Sequence, residues 1–293
     1  FCEALGKSGK EPVLVMKNIY SEKYLGGAAI IANHISDFVD KVKLISIIGS
    51  DKKDDNFIKK NLKKEIKPEF IRKTNSSTIT KKRYVENINM QKVLGVYSLD
   101  DDPLNTVQEK KLQAIIKKNI ENYDIVIVAD FGHGLVSKDT AKIIQNKSNF
   151  SSINAQINSS NISHHNIDKY KMTDCVIINE TELRHEMREN KIEITNLMRK
   201  FIQLYKIKYL VVTKGKSGVL FLDAKRKDVS FAPAFAKNVV DKVGSGDAFL
   251  ALMSLFLKNN VDYDSSIFIS SIAAAQVVES VGNSKVIKKN EIS

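Results

Sequence analysis

The amino-acid sequence predicts an α/β protein with three layers, in which helices cover both faces of a mostly parallel central sheet. Two observations support this prediction. Short runs rich in β-branched residues alternate with helical segments along the chain, and these runs are apolar throughout. Strands without alternating polarity are typical of a parallel sheet that is buried between helices.

The individual elements follow from the same patterns. Strands are expected at Val42–Ile48, Ile125–Asp130, Cys175–Asn179, Tyr209–Thr213 and Gly218–Leu222. Helices are expected at Ala28–Asp37, Asn56–Lys64, Thr106–Asn119, Lys138–Asn146, Glu180–Arg188, Ile194–Tyr205, Ala248–Leu257 and Ser265–Val278. The last two helices are apolar on nearly every side, which predicts that they are buried.

Two segments, 12–24 and 76–97, fall outside the strand–helix alternation. Both mix polar and apolar residues as extended chain does, and the second has a turn signal at 86–89. We expect a small β-sheet lid here, over one edge of the main sheet, that excludes water. No linker rich in Pro, Gly or Ser interrupts the chain, so residues 1–293 are expected to form one domain.

Composition limits the possible partners. The chain is 43% hydrophobic and 27% charged, as in an ordinary soluble globular protein. Its net charge of +12 is spread along the whole chain without aromatic residues between the lysines, so we expect no nucleic-acid partner. No apolar run reaches the roughly 20 residues that cross a bilayer, so no membrane partner is expected either. The two cysteines, Cys2 and Cys175, are consistent with a cytoplasmic location.

The most informative motif is residues 241–247, Asp-Lys-Val-Gly-Ser-Gly-Asp, which leads into an apolar helical segment. Small residues at a helix start leave backbone N–H groups open, and the helix dipole attracts anions, phosphates above all. Asp247 adds a carboxylate beside that site, where it could accept the proton of a hydroxyl that attacks phosphorus. Taken alone, the motif is equally compatible with a simple glycine-rich turn.

Weaker polar signals occur near the ends of other elements, where open α/β sheets collect ligands. They are Leu25–Ala29 with its paired glycines, Asp130–Gly134, Asn179–Glu182 and Thr213–Gly218. Each has a plain alternative: a tight turn, a helix cap at Asn179, or a hairpin loop. A carboxylate at 180–182 could instead hold Mg²⁺ through water.

The order of these motifs resembles the ribokinase-like, or PfkB, family of carbohydrate kinases over nearly the whole chain. The matching elements are the GG pair, Asn-x-x-Glu, Thr-x-Gly-x-x-Gly and Gly-x-Gly-Asp. Segments 11–15, 25–29, 82–91 and 128–134 are similar to the kinase domain of bifunctional heptose kinase/nucleotidyltransferase enzymes of ADP-heptose synthesis. The resemblance implies a ribokinase-like fold and transfer of phosphate from ATP, with Mg²⁺, to a sugar hydroxyl, in the synthesis of a nucleotide-activated sugar for a surface glycan.

The resemblance also implies roles for single residues. Asp247 would be the general base, with an anion hole formed by Gly244, Ser245 and Gly246. The ATP site would be lined by Thr213, Gly215, Gly218, Asn179, Gly282 and Asn283, with Glu182 organising Mg²⁺. Substrate contacts would come from Gly26, Gly27, Asn33, Arg83, Asp130 and Asp241. A homodimer through the lid is a further expectation.

The chain departs from the family pattern in three places. Ile30 stands where the family has a sugar-binding Asn, so Asn33 and His34 are candidates to replace it, or they simply face solvent. Residues 154–161 replace an Asp-Pro-Lys, which argues against a phosphorylated sugar, and the histidines at 164 and 165 are expected in a surface loop. The family's first strand would precede position 1. We therefore expect a longer chain, with a fused nucleotidyltransferase as one candidate for the remainder.

Two rival functions remain open at this stage. One is a kinase of a nucleoside or a vitamin alcohol with the same fold. The other is a nucleotide-sensing domain whose substrate site has decayed.

Overall fold

The computed structural model of the chain describes residues 1–157, 161–162 and 165–292. Its helices are α1 (Ala28–Ile35), α2 (Asp55–Asn61), α3 (Thr106–Asn119), α4 (Lys138–Lys147), α5 (Glu180–Met187), α6 (Ile194–Tyr205), α7 (Ser245–Lys258) and α8 (Tyr263–Val278). Its strands are β1 (Cys2–Lys7), β2 (Leu14–Asn18), β3 (Val42–Gly49), β4 (Ile66–Lys73), β5 (Thr80–Val85), β6 (Lys92–Ser98), β7 (Val126–Asp130), β8 (Ser151–Ala155), β9 (Cys175–Asn179), β10 (Tyr209–Thr213), β11 (Val219–Asp223) and β12 (Ser230–Ala232). No helix in these described ranges has the length and apolar composition to cross a membrane.

The largest sheet has six strands in the order β12-β11-β10-β9-β8-β7. Strands β7 to β10 are parallel, and β11 and β12 add an antiparallel edge. The predicted mostly parallel sheet is confirmed. Strands β7 to β10 are neighbours in chain order from the β7 edge inward. Because they are parallel, their carboxyl ends lie at one end of the sheet.

Helices cover both faces of this sheet. In β9, Val176 and Ile178 belong to one hydrophobic core, and Cys175 and Ile177 belong to another. Successive side chains of a strand point to opposite faces, so an apolar run such as this one contributes to both cores. Helices α3 to α6 pack into the first core, and α1, α7 and α8 pack into the second. The three-layer prediction is therefore confirmed.

Four strands were not predicted from the sequence, namely β1, β4, β8 and β12. The chain of β8 reads Ser-Ser-Ile-Asn-Ala, which has little apolar character, yet it is almost wholly buried. The hydroxyl of Ser152 accepts a hydrogen bond of 2.7 Å from Ser254, and the Ser151 hydroxyl is within 3.2 Å of Asp174. Partners distant in sequence satisfy these polar groups, which is why no local pattern revealed the strand.

A gap separates the β3–β4 pair from the six-stranded sheet. Strands β3 and β4 form a separate parallel pair, and β3 has no strand partner on its other edge among the described residues. Between β3 and β7 lies a cavity of about 1590 Å³, lined along its length by residues of both strands and open toward the start of α7. Two unpaired strand edges therefore face one cavity.

The lid consists of two antiparallel hairpins. Strand β1 pairs with β2 and β5 with β6, and one bridge between Cys2 and Glu86 connects the pairs. The predicted turn is present, closed by a hydrogen bond of 2.8 Å from the Glu86 N–H to the Gln91 oxygen. Segment 12–24 contains only one strand, and its partner is the preceding β1. Large apolar side chains stay exposed on this lid, among them Leu5 (61%) and Leu94 (56%).

Candidate active site

Helix α7 begins without a side-chain cap. Gly244 is its N-cap with φ of 84°, a left-handed conformation that glycine adopts without strain. The hydroxyl of Ser245 donates backward to the Lys242 oxygen at 3.1 Å and does not cap the helix. The N–H groups of the first turn, including that of Gly246, are left for a ligand, and the helix dipole favours an anionic one.

Asp247 lies in that first turn and lines the cavity. Its carboxylate has no hydrogen-bond or ion-pair partner in the described part of the chain. Burial raises its pKa to about 7, against the opposing effect of the nearby Lys81 ammonium. A carboxylate that titrates near neutrality and faces a cavity is suited to exchange a proton with a bound molecule.

The loop with the paired glycines lies beside this helix start. Gly27 is the N-cap of α1 with φ of 55°, and a Cβ there would be 3.1 Å from the Phe131 ring. The side chain of Asn283 donates to the Leu25 oxygen at 2.7 Å, and a Cβ on Gly244 would overlap Asn283 Oδ1. The glycine loop (25–29), the closing loop (Gly282 and Asn283) and the start of α7 thus meet at one place, and their separate roles stay predictions.

Asp241 holds the loop that leads into α7. Its carboxylate accepts hydrogen bonds from Val243 N at 3.0 Å, from Gly282 N at 3.1 Å and from the ammonium group of Lys92. Burial by itself would raise its pKa, but these donors outweigh that effect and the pKa is lowered. Asp241 lines the cavity, yet its oxygens are engaged by protein groups, so its direct substrate contact remains only a prediction.

Asn179 and Thr213 lie side by side at the carboxyl edge of the sheet, because they are register partners in β9 and β10. Asn179 caps α5: its Oδ1 accepts from Glu182 N at 2.8 Å, and Glu182 accepts from Asn179 N at 2.9 Å. This reciprocal capping box is the plain alternative considered from the sequence. The capping role is therefore present, and the nucleotide role stays a prediction.

Glu182 is 5% exposed, and burial raises its pKa to about 7 despite hydrogen bonds from backbone N–H groups. No group of three or more acidic, His or Cys side chains among the described residues could hold a metal by itself. Mg²⁺ retains most of its water and binds through one or two carboxylates plus substrate phosphates. Both Glu182 oxygens accept hydrogen bonds from the backbone, Oε2 from Asn179 N at 2.9 Å and Oε1 from Ile157 N at 3.3 Å, so a role of Glu182 at a Mg²⁺ of that kind stays a prediction.

The two glycines of the Thr213 motif, Gly215 and Gly218, have different surroundings. A Cβ on Gly218 would overlap the backbone oxygen of Ala232, so this glycine permits the close approach of β12. Gly215 has φ of 55° and open space around it, which leaves room for a ligand. Of these two glycines, Gly215 is therefore the one with open space that a nucleotide could approach.

Asp130 ends β7 as predicted, but its carboxylate is 4% exposed and fully engaged. It pairs with Lys169 at 2.7 Å and accepts from the Tyr170 hydroxyl at 2.7 Å and from Gly132 N at 3.0 Å. Its pKa is lowered, because Lys169, His165 and the hydrogen bonds outweigh the effect of burial. This arrangement anchors the loop after β7, and a direct contact of Asp130 with substrate is untested.

Arg83 lies on β5 and lines the cavity, with its guanidinium 5.5 Å from the Tyr97 ring. Lys81, two residues earlier on the same strand face, also lines it, and its ammonium lies 5.7 Å from the Phe131 ring. Neither cation is in an ion pair within the described ranges. The lid therefore presents two positive charges to the cavity near Asp247.

The proposed replacements for the missing sugar-binding Asn do not face solvent. Asn33 is 4% exposed and is not part of the cavity lining; its amide donates to the Asn61 oxygen at 2.9 Å and accepts from Lys63 N at 3.1 Å. His34 is fully buried and accepts from Ile287 N at 3.2 Å, and burial lowers its pKa to about 4. Both side chains instead hold neighbouring segments together, and a sugar contact by Asn33 stays a prediction.

The sequence reasoning gave no role to His133, which lines the cavity, or to its partner Asp101. His133 Nδ1 lies 2.6 Å from Asp101 Oδ1, and the His133 ring is 6.4 Å from that of Phe131 and nearly parallel to it. His133 lies inside a motif that the sequence had highlighted, but its partner comes 32 residues earlier, in an acidic run without a periodic pattern. No local signal joins the two.

Some predictions lie on residues outside the described ranges, namely Asn158, Ser159, Ser160 and His164. The surface-loop prediction is wrong for His165, which is only 7% exposed. Its Nε2 lies 3.3 Å from the backbone oxygen of Asp130, so it packs under the loop that follows β7.

Comparison with known proteins shows the family and the fold of the chain. Residues 3–290 match the model of the pfkB family of carbohydrate kinases. The chain is 24% identical over 287 residues to the "Bifunctional protein HldE" of Campylobacter jejuni. The matched region covers 97% of this chain and 59% of that protein. It is 26% identical over 291 residues to the HldE protein of Helicobacter pylori strain 26695. That match covers 94% of this chain and 59% of the HldE protein. The chain thus spans about three-fifths of the length of the curated relatives that it matches.

Solved structures show the same fold at low sequence identity. Phosphofructokinase-2 from Escherichia coli in complex with potassium has a TM-score of 0.73 at 13% identity, covering 99% of this chain and 93% of the other. Ribokinase from Thermotoga maritima has a TM-score of 0.73 at 18% identity, covering 99% and 94%. Ribokinase from Arabidopsis thaliana complexed with ribose and ATP has a TM-score of 0.72 at 15% identity, covering 99% and 92%.

Proposed function

The chain belongs to the pfkB family of carbohydrate kinases, and on that premise we propose that it transfers the γ-phosphoryl group of ATP to a hydroxyl of a heptose-like sugar. One observation carries the proposal. An unpaired carboxylate, Asp247, faces a cavity from the first turn of an uncapped helix. This places a proton acceptor and an anion site side by side, which is what phosphoryl transfer requires.

The reaction assigns a task to each group. Asp247 accepts the proton of the attacking hydroxyl, whose oxygen forms a bond to the γ-phosphorus while the bond from that phosphorus to ADP breaks. The free N–H groups at the start of α7 stabilise the charge that develops on the transferred group. Mg²⁺ would neutralise the phosphate charge, with Glu182 contacting it through water. Thr213, Asn179 and Gly215 would position the nucleotide beside the same sheet edge.

Similarity to known proteins and the residues that line the cavity support different forms of the acceptor. Similarity to the HldE proteins over nearly the whole chain supports a heptose-like sugar. The replaced Asp-Pro-Lys argues against a phosphate on that sugar, whereas Lys81 and Arg83 line the cavity without ion-pair partners in the described part and would suit an anionic acceptor. Both forms of the sugar therefore belong in the test.

ADP release tests the proposal directly. The chain, with ATP and Mg²⁺, would be assayed against heptoses, hexoses, pentoses and their phosphates, with Asp247→Asn alongside. We expect acceptor-dependent release that the variant lowers by a factor of about 10² to 10⁴, as the loss of a general base implies. Nucleosides and vitamin alcohols complete the panel, and turnover with one of these alone would favour that rival instead.

A decayed nucleotide sensor is the second rival. It predicts normal ATP binding and no acceptor that raises ADP release above the level of Asp247→Asn. The unpaired Asp247 argues against it, since a sensor needs the anion site but not the base.

We also propose that the chain forms a homodimer through the lid. Leu5, Leu14 and Leu94 are each more than half exposed on the two hairpins, and exposed apolar surface often marks an interface. Light scattering should give twice the monomer mass, and Leu94→Asp should reduce it to the monomer mass. A wild-type protein that is monomeric at micromolar concentration would contradict the proposal.

A further inference from the structure

One carboxylate connects the lid to the anion site. Asp241 Oδ1 accepts from Val243 N in the loop before α7 and from the Lys92 ammonium on lid strand β6. Its other oxygen, Oδ2, accepts from Gly282 N in the closing loop. Lys92 and Asp241 are 149 residues apart in the chain, so only the fold brings them together.

The connection continues beyond Gly282. The next residue, Asn283, donates to the Leu25 oxygen in the glycine loop, and its Oδ1 packs against Gly244. A displacement of Asp241 would therefore reach both the predicted sugar side and the helix start that forms the anion site. Among the hydrogen-bond donors that the structure describes around Asp241, Lys92 is the one that comes from the lid.

The burial of this pair distinguishes it from ordinary surface ion pairs of the lid. The Asp241 side chain is 9% exposed and that of Lys92 is 39% exposed. The lid pair of Lys17 and Glu3 is 4.0 Å apart, with side chains that are 65% and 52% exposed. Solvent screens an exposed pair of that kind, whereas a partly buried, hydrogen-bonded pair is screened much less.

We propose that Lys92 is a positioning residue that latches the lid to Asp241 and thereby sets the loop 241–246 in its phosphate-binding conformation. The inference rests on the proposed kinase reaction, in which that loop stabilises the transferred group. When hairpin β5–β6 lies over the cavity, the Lys92 ammonium completes the set of donors around Asp241. Lys81 and Arg83 of β5 line the same cavity, so the latch would also hold them beside the acceptor.

Four variants test the latch. Lys92→Met removes the charge and retains most of the aliphatic stem, and Lys92→Arg restores a charged donor. Asp241→Asn weakens all three contacts at once. Lys17→Met, on lid strand β2, is the matched control, because it removes a lysine whose carboxylate partner lies outside the site.

Steady-state kinetics give the first readout. We expect Lys92→Met to lower kcat/KM for the acceptor about 10- to 100-fold, as the loss of a hydrogen bond between charged groups implies. Lys92→Arg should recover most of that loss. Lys17→Met should match the wild type. If Lys92→Met also matches the wild type, or if Lys92→Arg recovers nothing, the latch is overturned.

Hydrogen exchange gives a second readout that needs no turnover. Lys92→Met should speed exchange at 92–98 and at 241–246, and Asp241→Asn should do so at least as strongly, while Lys17→Met leaves 241–246 unchanged. Unaltered exchange at 241–246 in Lys92→Met overturns the latch even in an active enzyme. If no acceptor is turned over and exchange still responds in this pattern, the latch stands and the proposed reaction fails.

Discussion

Asn283 donates its side-chain amide to the backbone oxygen of Leu25 at 2.7 Å and presses its buried Oδ1 against Gly244. One side chain thus sets the spacing between the glycine loop and the start of α7. Since Oδ1 has no hydrogen-bond partner within the described ranges, its position is determined by packing and by the bond to Leu25.

The glycines of the α7 motif should respond differently to substitution. Gly244→Ala would bring a Cβ into overlap with Asn283 Oδ1, and it would hold alanine at a left-handed φ. We expect it to lower the free energy of unfolding by about 1–3 kcal/mol. Gly246→Ala meets open space within the helix and should be neutral or stabilising, by up to about 1 kcal/mol. Urea unfolding compares the two, and similar losses in both would contradict the structure.

The pH dependence of turnover should follow Asp247. With a pKa of about 7, its carboxylate is increasingly protonated below neutrality and cannot then accept the hydroxyl proton. We expect kcat/KM for the acceptor to rise with pH up to about 7 and to level off above it. A profile that stays flat between pH 5 and 8 would show that Asp247 is not the base.

The same carboxylate should reduce stability at high pH. The folded-state pKa lies above the ordinary value of about 3.9, so between roughly pH 4 and 7 the folded protein retains a proton that the unfolded chain releases. Stability therefore falls as pH rises through this window. Asp247→Asn lacks the effect, and its stability relative to wild type should be greater at pH 8 than at pH 5. Denaturant titrations at both values check this, and an equal difference at the two would contradict it.

Lys169→Met should destabilise the protein strongly, because it leaves the buried Asp130 carboxylate without its cation. Removal of one partner of a buried pair costs about 3–5 kcal/mol. The double variant Lys169→Met with Asp130→Asn should recover part of that loss, since it removes the uncompensated charge as well. Full additivity of the two single changes would show that the pair does not act as a unit.

Glu182→Gln should raise the Mg²⁺ concentration that half-saturates ADP release, and excess Mg²⁺ should restore most of the rate. The amide oxygen can still accept a hydrogen bond from the Asn179 N–H, so the fold should survive. Glu180→Gln is the matched control, because Glu180 pairs with Arg184 at 2.8 Å and caps nothing. Equal Mg²⁺ requirements in both variants and the wild type would show that Glu182 does not contribute to Mg²⁺ binding.

Local patterns were sufficient for much of the fold. The bounds of β9, β10, α3 and α6 match the sequence prediction residue for residue, since apolar runs and helix caps depend only on neighbouring residues. Strand β8 shows the limit of such patterns. Its serines are buried because Ser254 and Asp174, far along the chain, satisfy them.

The candidate site was predictable as a set of motifs but not as a set of contacts. Asp247 and the glycines before it form a local signal, and the structure places them at an open helix start facing the cavity. The chemistry assigned to them remains a prediction. Asn33 and Asp130 carry polar groups that suit a sugar, but their neighbours in space already engage those groups.

The sequence by itself determined the layered α/β fold and the order of the phosphate-binding motifs, because both depend on short-range periodicity and on small residues at turns. Only the tertiary structure decided which polar groups stay open to a ligand. That outcome depends on partners brought together from distant segments, such as Lys92 on Asp241 and Lys169 on Asp130. A polar group already paired within the protein has less to offer a substrate, and no local pattern records that pairing.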